Sequence, residues 1–289
     1  MPSRRWYLWG VLLALLFPLV AASLASTAPA PATSSASSSS VAASRLQGDL
    51  TVFAAASLTD AFKEIGANLQ RANPGVKAAF NFGGSPTLRT QLAQGARADI
   101  FASADQSNMQ GAQRDGTIAG DPRTFAQNKL TLIVPAANPA GIARLQDLGK
   151  SGVKLVLAQK DVPVGNYARQ SFAKMAQDAS FGSGFADQVQ KNVVSDEANV
   201  KDVVAKVQLG EADAGVVYQT DVTPSVRGAV KMIDIPDQFN VIALYPIAVV
   251  KGAPNADGAA AFIDYVLSPA GQGVLAKYGF TVVRAAANG

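Results

Sequence analysis

The chain has 289 residues, 48% hydrophobic and 16% charged, with a formal net charge of +4. That balance excludes disorder and fibrous repeats and is enough for one large domain or two smaller ones. With neither Cys nor His in the sequence, disulfides, thiolate metal sites, lipid attachment through cysteine and cysteine or serine-histidine catalysis are all excluded.

The first element is a leader. Arg4 and Arg5 are followed by an apolar run from Trp6 to Val20, and no further charge occurs before Arg45. Small residues and "TAPAPATSSASSSS" come next. This predicts an export signal over 1–25, cut after "SLA", and an Ala/Ser/Pro-rich tether over 26–47. An uncleaved membrane anchor is the rival reading, because the uncharged stretch is long enough to span a bilayer. Without Arg4 and Arg5, 25 − 2 = 23 basic residues face 21 acidic ones, so the mature chain is near neutral. No cluster of Lys and Arg with interleaved aromatics is present, and nucleic acid is excluded as a partner.

From Leu50 onward, β-rich runs alternate with helical patterns, which predicts an α/β fold with largely parallel sheets. "LTVFAAA" (50–56) is the first strand, and the helix after it places Leu58, Ala61, Phe62, Ile65 and Leu69 on one face. "VKAAFNF" (76–82) is the second strand, leading into "GGSPTLRTQLAQG". Ser57 and Ser85 each stand where a strand gives way to a helix, and each is predicted as an N-cap. "ADIFASAD" (98–105), "KLTLIVP" (129–135) and "VKLVLAQ" (153–159) are further strands, the last running into a loop marked by Pro163 and Gly165. After a Gly/Ser-rich stretch, a helix carries Val200, Val203, Val204 and Val207 on one face and ends at Gly210. "AGVVY" (214–218) is a buried strand ending in Tyr218, and "NVIALYPIAVV" (240–250) is a long one before two closing helices. The strands at 129–135 and 240–250 separate an inner block from two outer segments, the division that two lobes joined by two crossing strands would produce.

Ligands of α/β sheets sit outside the carboxyl ends of strands, where helix N-termini present unpaired N–H groups. Four such junctions occur, at Ser57, Ser85, Val164 and Val200, and Tyr218 adds a hydroxyl from a strand end. Singly, a serine at a helix start is usually a cap and a strand-end tyrosine usually a half-buried core residue. Together they describe a ring of donors aimed at oxygens, with no obligatory base. A Ser-x-x-Lys hydrolase is the surviving enzyme reading, with matches at Ser151 to Lys154 and Ser171 to Lys174 but no Lys-Thr-Gly stretch after them. Carboxylates are scattered, so no divalent-metal loop is visible.

"TVFAAASLTDAF", "GGSPTLRTQLAQGARADIFASADQ", "VPVGNYA", "GEADAGVVYQTD" and "FIDYVLSPAGQGVLAKYGF" together resemble the periplasmic molybdate-binding proteins of ABC transporters, in order and over nearly all of 50–283. The resemblance implies a type II periplasmic-binding-protein fold whose two lobes close over a tetrahedral oxyanion. It divides the chain into lobe 1 over 48–129, lobe 2 over 130–240 and a second part of lobe 1 over 241–289. It implies that Ser57 and Ser85 bind molybdate or tungstate through hydroxyl and N–H, Val164 and Val200 through N–H, and Tyr218 through its phenol. Val164 stands where alanine is usual, an exchange that leaves the N–H unchanged, and Pro86 stands where a donor is common. No catalytic residue, cofactor or metal beyond the molybdate oxyanion is implied. The partners are the oxyanion and the transporter's membrane permease, for a periplasmic monomer. Sulfate is the alternative ligand, although the "SYD-x-TRE"-like opening of sulfate-binding relatives is missing. Asp60, three residues after Ser57, is expected to fold back as a capping box and stay out of the site.

Overall fold

The computed structural model describes residues 47–283. The expected export signal, and all but the last residue of the expected tether, lie outside the described residues. No helix among the described residues is long and apolar enough to cross a membrane.

The chain is an α/β protein of two sheets. In the first are β1 (Gly48–Ala55), β2 (Val76–Gly83), β3 (Ile100–Ala102), β4 (Ile118–Asn128), β10 (Ala243–Val250) and β11 (Thr281–Val282), in the order β11-β4-β10-β3-β1-β2. The second holds β5 (Leu130–Pro135), β6 (Leu155–Ala158), β7 (Val193–Glu197), β8 (Ala214–Tyr218) and β9 (Val230–Asp234), in the order β7-β6-β8-β5-β9. Helices α1 (Thr59–Ala72), α2 (Ser85–Ala93), α3 (Gln106–Arg114), α7 (Ala256–Leu267) and α8 (Pro269–Lys277) accompany the first sheet, and α4 (Pro163–Met175), α5 (Phe185–Lys191) and α6 (Val200–Gln208) the second.

Local pattern accounts for the well-read elements. Leu58, Ala61, Phe62, Ile65 and Leu69 are all buried, so the apolar stripe of α1 is its core face. Val200, Val203, Val204 and Val207 are likewise buried on α6, and Gly210 follows its C-cap at φ 72°, the left-handed conformation that ends a helix.

Other elements depart from the sequence reading. The sheets are mixed, not largely parallel: β1 pairs in parallel with β2 and β3, but β10 is antiparallel to β3 and β4, and β5 is antiparallel to β8 and β9. Strand β10, returning from the second sheet, enters the first against the direction of β3 and β4, and β5, the first strand of the second sheet, is met antiparallel by the later β8 and β9. Strand β4 had no local signal, because Gly120 and Pro122 interrupt it. Register shifts against β10 between Tyr245 and Pro246 and between Ile247 and Val249 accommodate the irregularity. Within the Gly/Ser-rich stretch, α5 is held by Phe185, whose ring packs on Phe172 and Phe181. Pro163 and Gly165 lie inside α4, where proline suits the first turn and a Cβ on Gly165 would come 2.2 Å from the Ala158 and Gln159 carbonyl oxygens.

The two sheets are joined where Lys129 separates β4 from β5 and where 235–242 separates β9 from β10. Asn240 ties these passages together. Its Nδ2 donates to the Leu130 and Ile235 carbonyls at 3.0 Å, and its Oδ1 accepts from the N–H groups of Leu130 at 3.0 Å and Val241 at 2.8 Å. Strand β10 accordingly starts at Ala243, later than the 240 predicted, since the Asn240 side chain occupies backbone groups that a ladder would use.

Candidate functional site

Parallel register assembles one wall of the site. Ala55 is opposite Gly83 and Ala54 opposite Ala102, so the chain leaves β1, β2 and β3 at one level and brings Ser57, Ser85 and Ala104 side by side. The facing wall comes from the carboxyl ends of β6, β7 and β8, which deliver Val164, Val200 and Tyr218. All five predicted residues line one small cavity, together with Gly84, Asn199 and backbone of the adjoining turns. A wider cleft nearby, lined by Asp60, Thr220, Arg227, Lys277 and Tyr278, is open and of mixed charge. Convergent neutral donors are found in the smaller cavity.

Neither serine is a cap. Ser57 lies in a 3-10 turn (Ala56–Leu58) and Leu58 is the N-cap of α1; Gly84 is the N-cap of α2, and Ser85 is its first helical residue. Their hydroxyls have other partners. Ser57 Oγ is 2.9 Å from the Tyr245 hydroxyl, and Ser85 Oγ accepts the Ala104 N–H at 3.1 Å. Asp60 forms no capping box either, because there is no serine cap to answer. It reaches across to Lys201 Nζ at 3.2 Å.

Helix starts supply the remaining donors. In α6 the Asn199 side chain accepts from the N–H groups of Lys201 at 2.9 Å and Asp202 at 3.2 Å, which leaves the first-turn N–H of the lining residue Val200 outside the cap. In α4 the first-turn N–H of Val164 has no intrahelical acceptor. Pro86 removes one N–H from the first turn of α2, while that of Ser85 remains.

Tyr218 is 1% exposed, and its hydroxyl has no partner among the described residues. A buried hydroxyl without a partner costs free energy that an occupant of the cavity would recover. Burial, reinforced by Tyr245 and Tyr167, raises its pKa well above the ordinary phenol value, so it remains a donor. No Asp, Glu, Lys or Arg lines this cavity. Two buried carboxylates stand behind the lining: Asp105, next in sequence to Ala104, accepts from the Asn108 N–H at 2.9 Å and Asn108 Nδ2 at 3.1 Å, and Asp221 accepts the Tyr218 N–H at 3.1 Å and lies 3.5 Å from Lys201 Nζ. Among the described residues no group of His, Cys, Asp and Glu could hold a metal ion.

The Ser-x-x-Lys matches form no site. Ser171 is sealed in the core with its hydroxyl unpartnered, and Lys174 Nζ donates to the Asn240 carbonyl at 2.6 Å. Ser151 lies in an exposed turn. Sequence reasoning missed Tyr245, Asn128 and Asn199. Only Asn199 left a signal, an Asn three residues before Asp202 at the start of an apolar helix.

Residues 50–281 match the family described as bacterial extracellular solute-binding protein. The molybdate-binding protein ModA of Mycobacterium tuberculosis (strain H37Rv) is 39% identical over 231 residues, 80% of this chain and 84% of the relative. The periplasmic molybdate-binding protein of Azotobacter vinelandii has a similar structure, with a TM-score of 0.70 at 17% identity, covering 81% of this chain and 99% of that one. The sulfate-binding protein SubI of Mycobacterium tuberculosis H37Rv gives a TM-score of 0.73, also at 17% identity, covering 82% and 88%. The two structures share this chain's two-lobed type II periplasmic-binding-protein fold, and fold alone does not separate their anions.

Proposed function

The chain belongs to the bacterial extracellular solute-binding proteins, and from that premise we propose that its cavity captures molybdate, with tungstate as an equivalent ligand, and delivers it to the membrane permease of an ABC transporter. The observation that carries this reading is the cavity's chemistry. Ser57, Ser85, Val164, Val200 and Tyr218 surround it with donors, one of them a buried phenol without a partner, and no carboxylate or cation lines it. Such a shell suits a fully deprotonated tetrahedral dianion, which accepts at every oxygen. The likeness to ModA at 39% identity favours molybdate over sulfate.

The division into 48–129 and 241–289 as one lobe and 130–240 as the other is part of this reading, supported by sheet membership. So are export through residues 1–25, a periplasmic location and a monomeric state.

Calorimetric titration of the purified protein with molybdate, tungstate, sulfate and phosphate tests the proposal. Molybdate and tungstate should bind, and phosphate at large excess should not displace them. Hydrogen phosphate carries a proton that needs an acceptor, and leaving it unpaired in a closed site costs about 1–3 kcal/mol. Asp60 is engaged with Lys201 outside the cavity lining, so Asp60→Asn should reject phosphate as the wild type does. Sulfate binding as tightly as molybdate would favour the sulfate reading, and no binding of either molybdate or tungstate would refute the assignment.

A further inference from the structure

Behind Ser57 lies a chain of hydrogen bonds whose direction follows from proton inventory. It starts at Asn128, buried at the end of β4 where the chain leaves the first sheet. Asn128 Oδ1 is 3.0 Å from the Lys129 N–H, which can only donate. That fixes the orientation of the amide, so Nδ2 faces Thr220 Oγ1 at 2.7 Å and the Tyr245 hydroxyl at 3.3 Å. Nδ2 carries two protons and accepts none, so Tyr245 receives at this contact.

The Tyr245 proton must then go elsewhere. Among the described residues the acceptor in hydrogen-bond range is Ser57 Oγ, at 2.9 Å. Burial raises the Tyr245 pKa far above the ordinary phenol value, so that proton is present throughout the physiological range. Ser57 thus accepts from Tyr245, and its own O–H, with no other acceptor among the described residues, is left for the cavity.

We propose that Tyr245 and Asn128 are positioning residues that hold the Ser57 hydroxyl as a donor towards the bound anion, and so set the site's preference for unprotonated oxyanions. The inference rests on the anion-site reading above and deepens it. A ligand oxygen bearing a proton would need Ser57 to turn its own proton away, and the direction behind Ser57 is already filled by a donor. Ser85 gains the same polarity more simply, from the Ala104 N–H.

The test is a double-mutant cycle of Tyr245→Phe and Ser57→Ala, read by calorimetric titration with molybdate and by phosphate competition. Phenylalanine keeps the edge-on packing of the ring against Phe125, Tyr218 and Phe280. Tyr245→Phe should weaken molybdate binding by about tenfold, the scale of one hydrogen bond to a charged group, and should improve phosphate competition relative to wild type. In the Ser57→Ala background the same change should have no further effect, because Tyr245 acts through the Ser57 hydroxyl. Unchanged affinity in Tyr245→Phe, or an equal fold-loss in both backgrounds, would overturn the proposal. If Tyr245→Phe does not melt cooperatively, Asn128→Ala provides the second arm. It frees Tyr245 to accept from Ser57, and should give a smaller loss that also vanishes with Ser57→Ala; wild-type affinity in Asn128→Ala would overturn the proposal as well. Failure of the underlying reading is distinguishable, since the wild type would then bind neither molybdate nor tungstate.

Discussion

Asp221 shows how one residue beside the site ties stability to pH. Its side chain is fully buried, and burial pushes its pKa up to about 6, against the opposing pull of Lys201 and the Tyr218 N–H. The native state therefore holds this proton more tightly than the unfolded chain does. Stability is highest, as far as Asp221 is concerned, below the unfolded value near 4 and falls as pH rises through about 6. The buried, ionised carboxylate therefore costs stability at neutral pH. Asp221→Asn keeps an acceptor for the Tyr218 N–H and removes the titration. Thermal melts between pH 4 and 7 should show the variant with a flatter profile and a higher Tm at pH 7; parallel profiles would mean that Lys201 already compensates the charge. Residues such as Ser57, Ser85 and Tyr218 were legible because their types and places at strand ends suggest donors. Their partners were not, and for the serines the local reason was different: neighbours distant in sequence engage the hydroxyls that capping chemistry would have used.

At the scale of the element, α6 depends on Asn199 both for its start and for its charge. The Asn199 side chain satisfies two first-turn N–H groups while standing at the cavity. Asn199→Ala should cost about 1 kcal/mol, which for a domain of this size lowers Tm by roughly 2–4 °C. Asn199→Asp should keep the cap, since a carboxylate accepts the same bonds and suits a helix N-terminus, but it places a negative charge beside an anion. Melting curves and molybdate titrations should therefore separate the two variants: stability lost in one, affinity lost with stability kept in the other. Equal affinity in Asn199→Asp and wild type would place the anion away from α6. Helices α1 and α6 were readable because a buried stripe repeats along the chain. Strand β4 was not, because Gly120 and Pro122 break its pattern and its pairing to β10 is specified by residues more than a hundred positions away.

For the whole molecule, the decisive contact is between the two walls of the cavity. A Cβ on Gly84 would stand 2.3 Å from the Ala198 carbonyl oxygen across the cavity, far inside contact distance. Asn108 Nδ2 to the Asp161 carbonyl at 3.4 Å and Lys201 to Asp60 at 3.2 Å also bridge the sheets' elements, but both are long or partly exposed and contribute little. Gly84→Ala should therefore hold the lobes apart. In wild type, a hundredfold excess of molybdate over Kd adds roughly 2.7 kcal/mol, which raises Tm by roughly 5–10 °C, and the anion should lower the radius of gyration by favouring the closed state. Gly84→Ala should show a smaller Tm rise and no compaction by small-angle scattering. Full compaction in the variant would show that the Gly84 approach is not required for closure.

The sequence by itself determined which faces are apolar, where strands give way to helices, and that the donors at those junctions are neutral. These are local properties, written in periodicity and residue type. The meeting of the five residues was decided by tertiary structure, through a parallel register that aligns the ends of β1, β2 and β3 and two passages that bring the second sheet opposite them. The direction of the Ser57 hydroxyl is more remote still. It depends on Tyr245, 188 positions along the chain, and on Asn128 between them. A hydroxyl's residue type gives both donor and acceptor capacity, and only the partners that packing places around it decide which of the two faces the ligand.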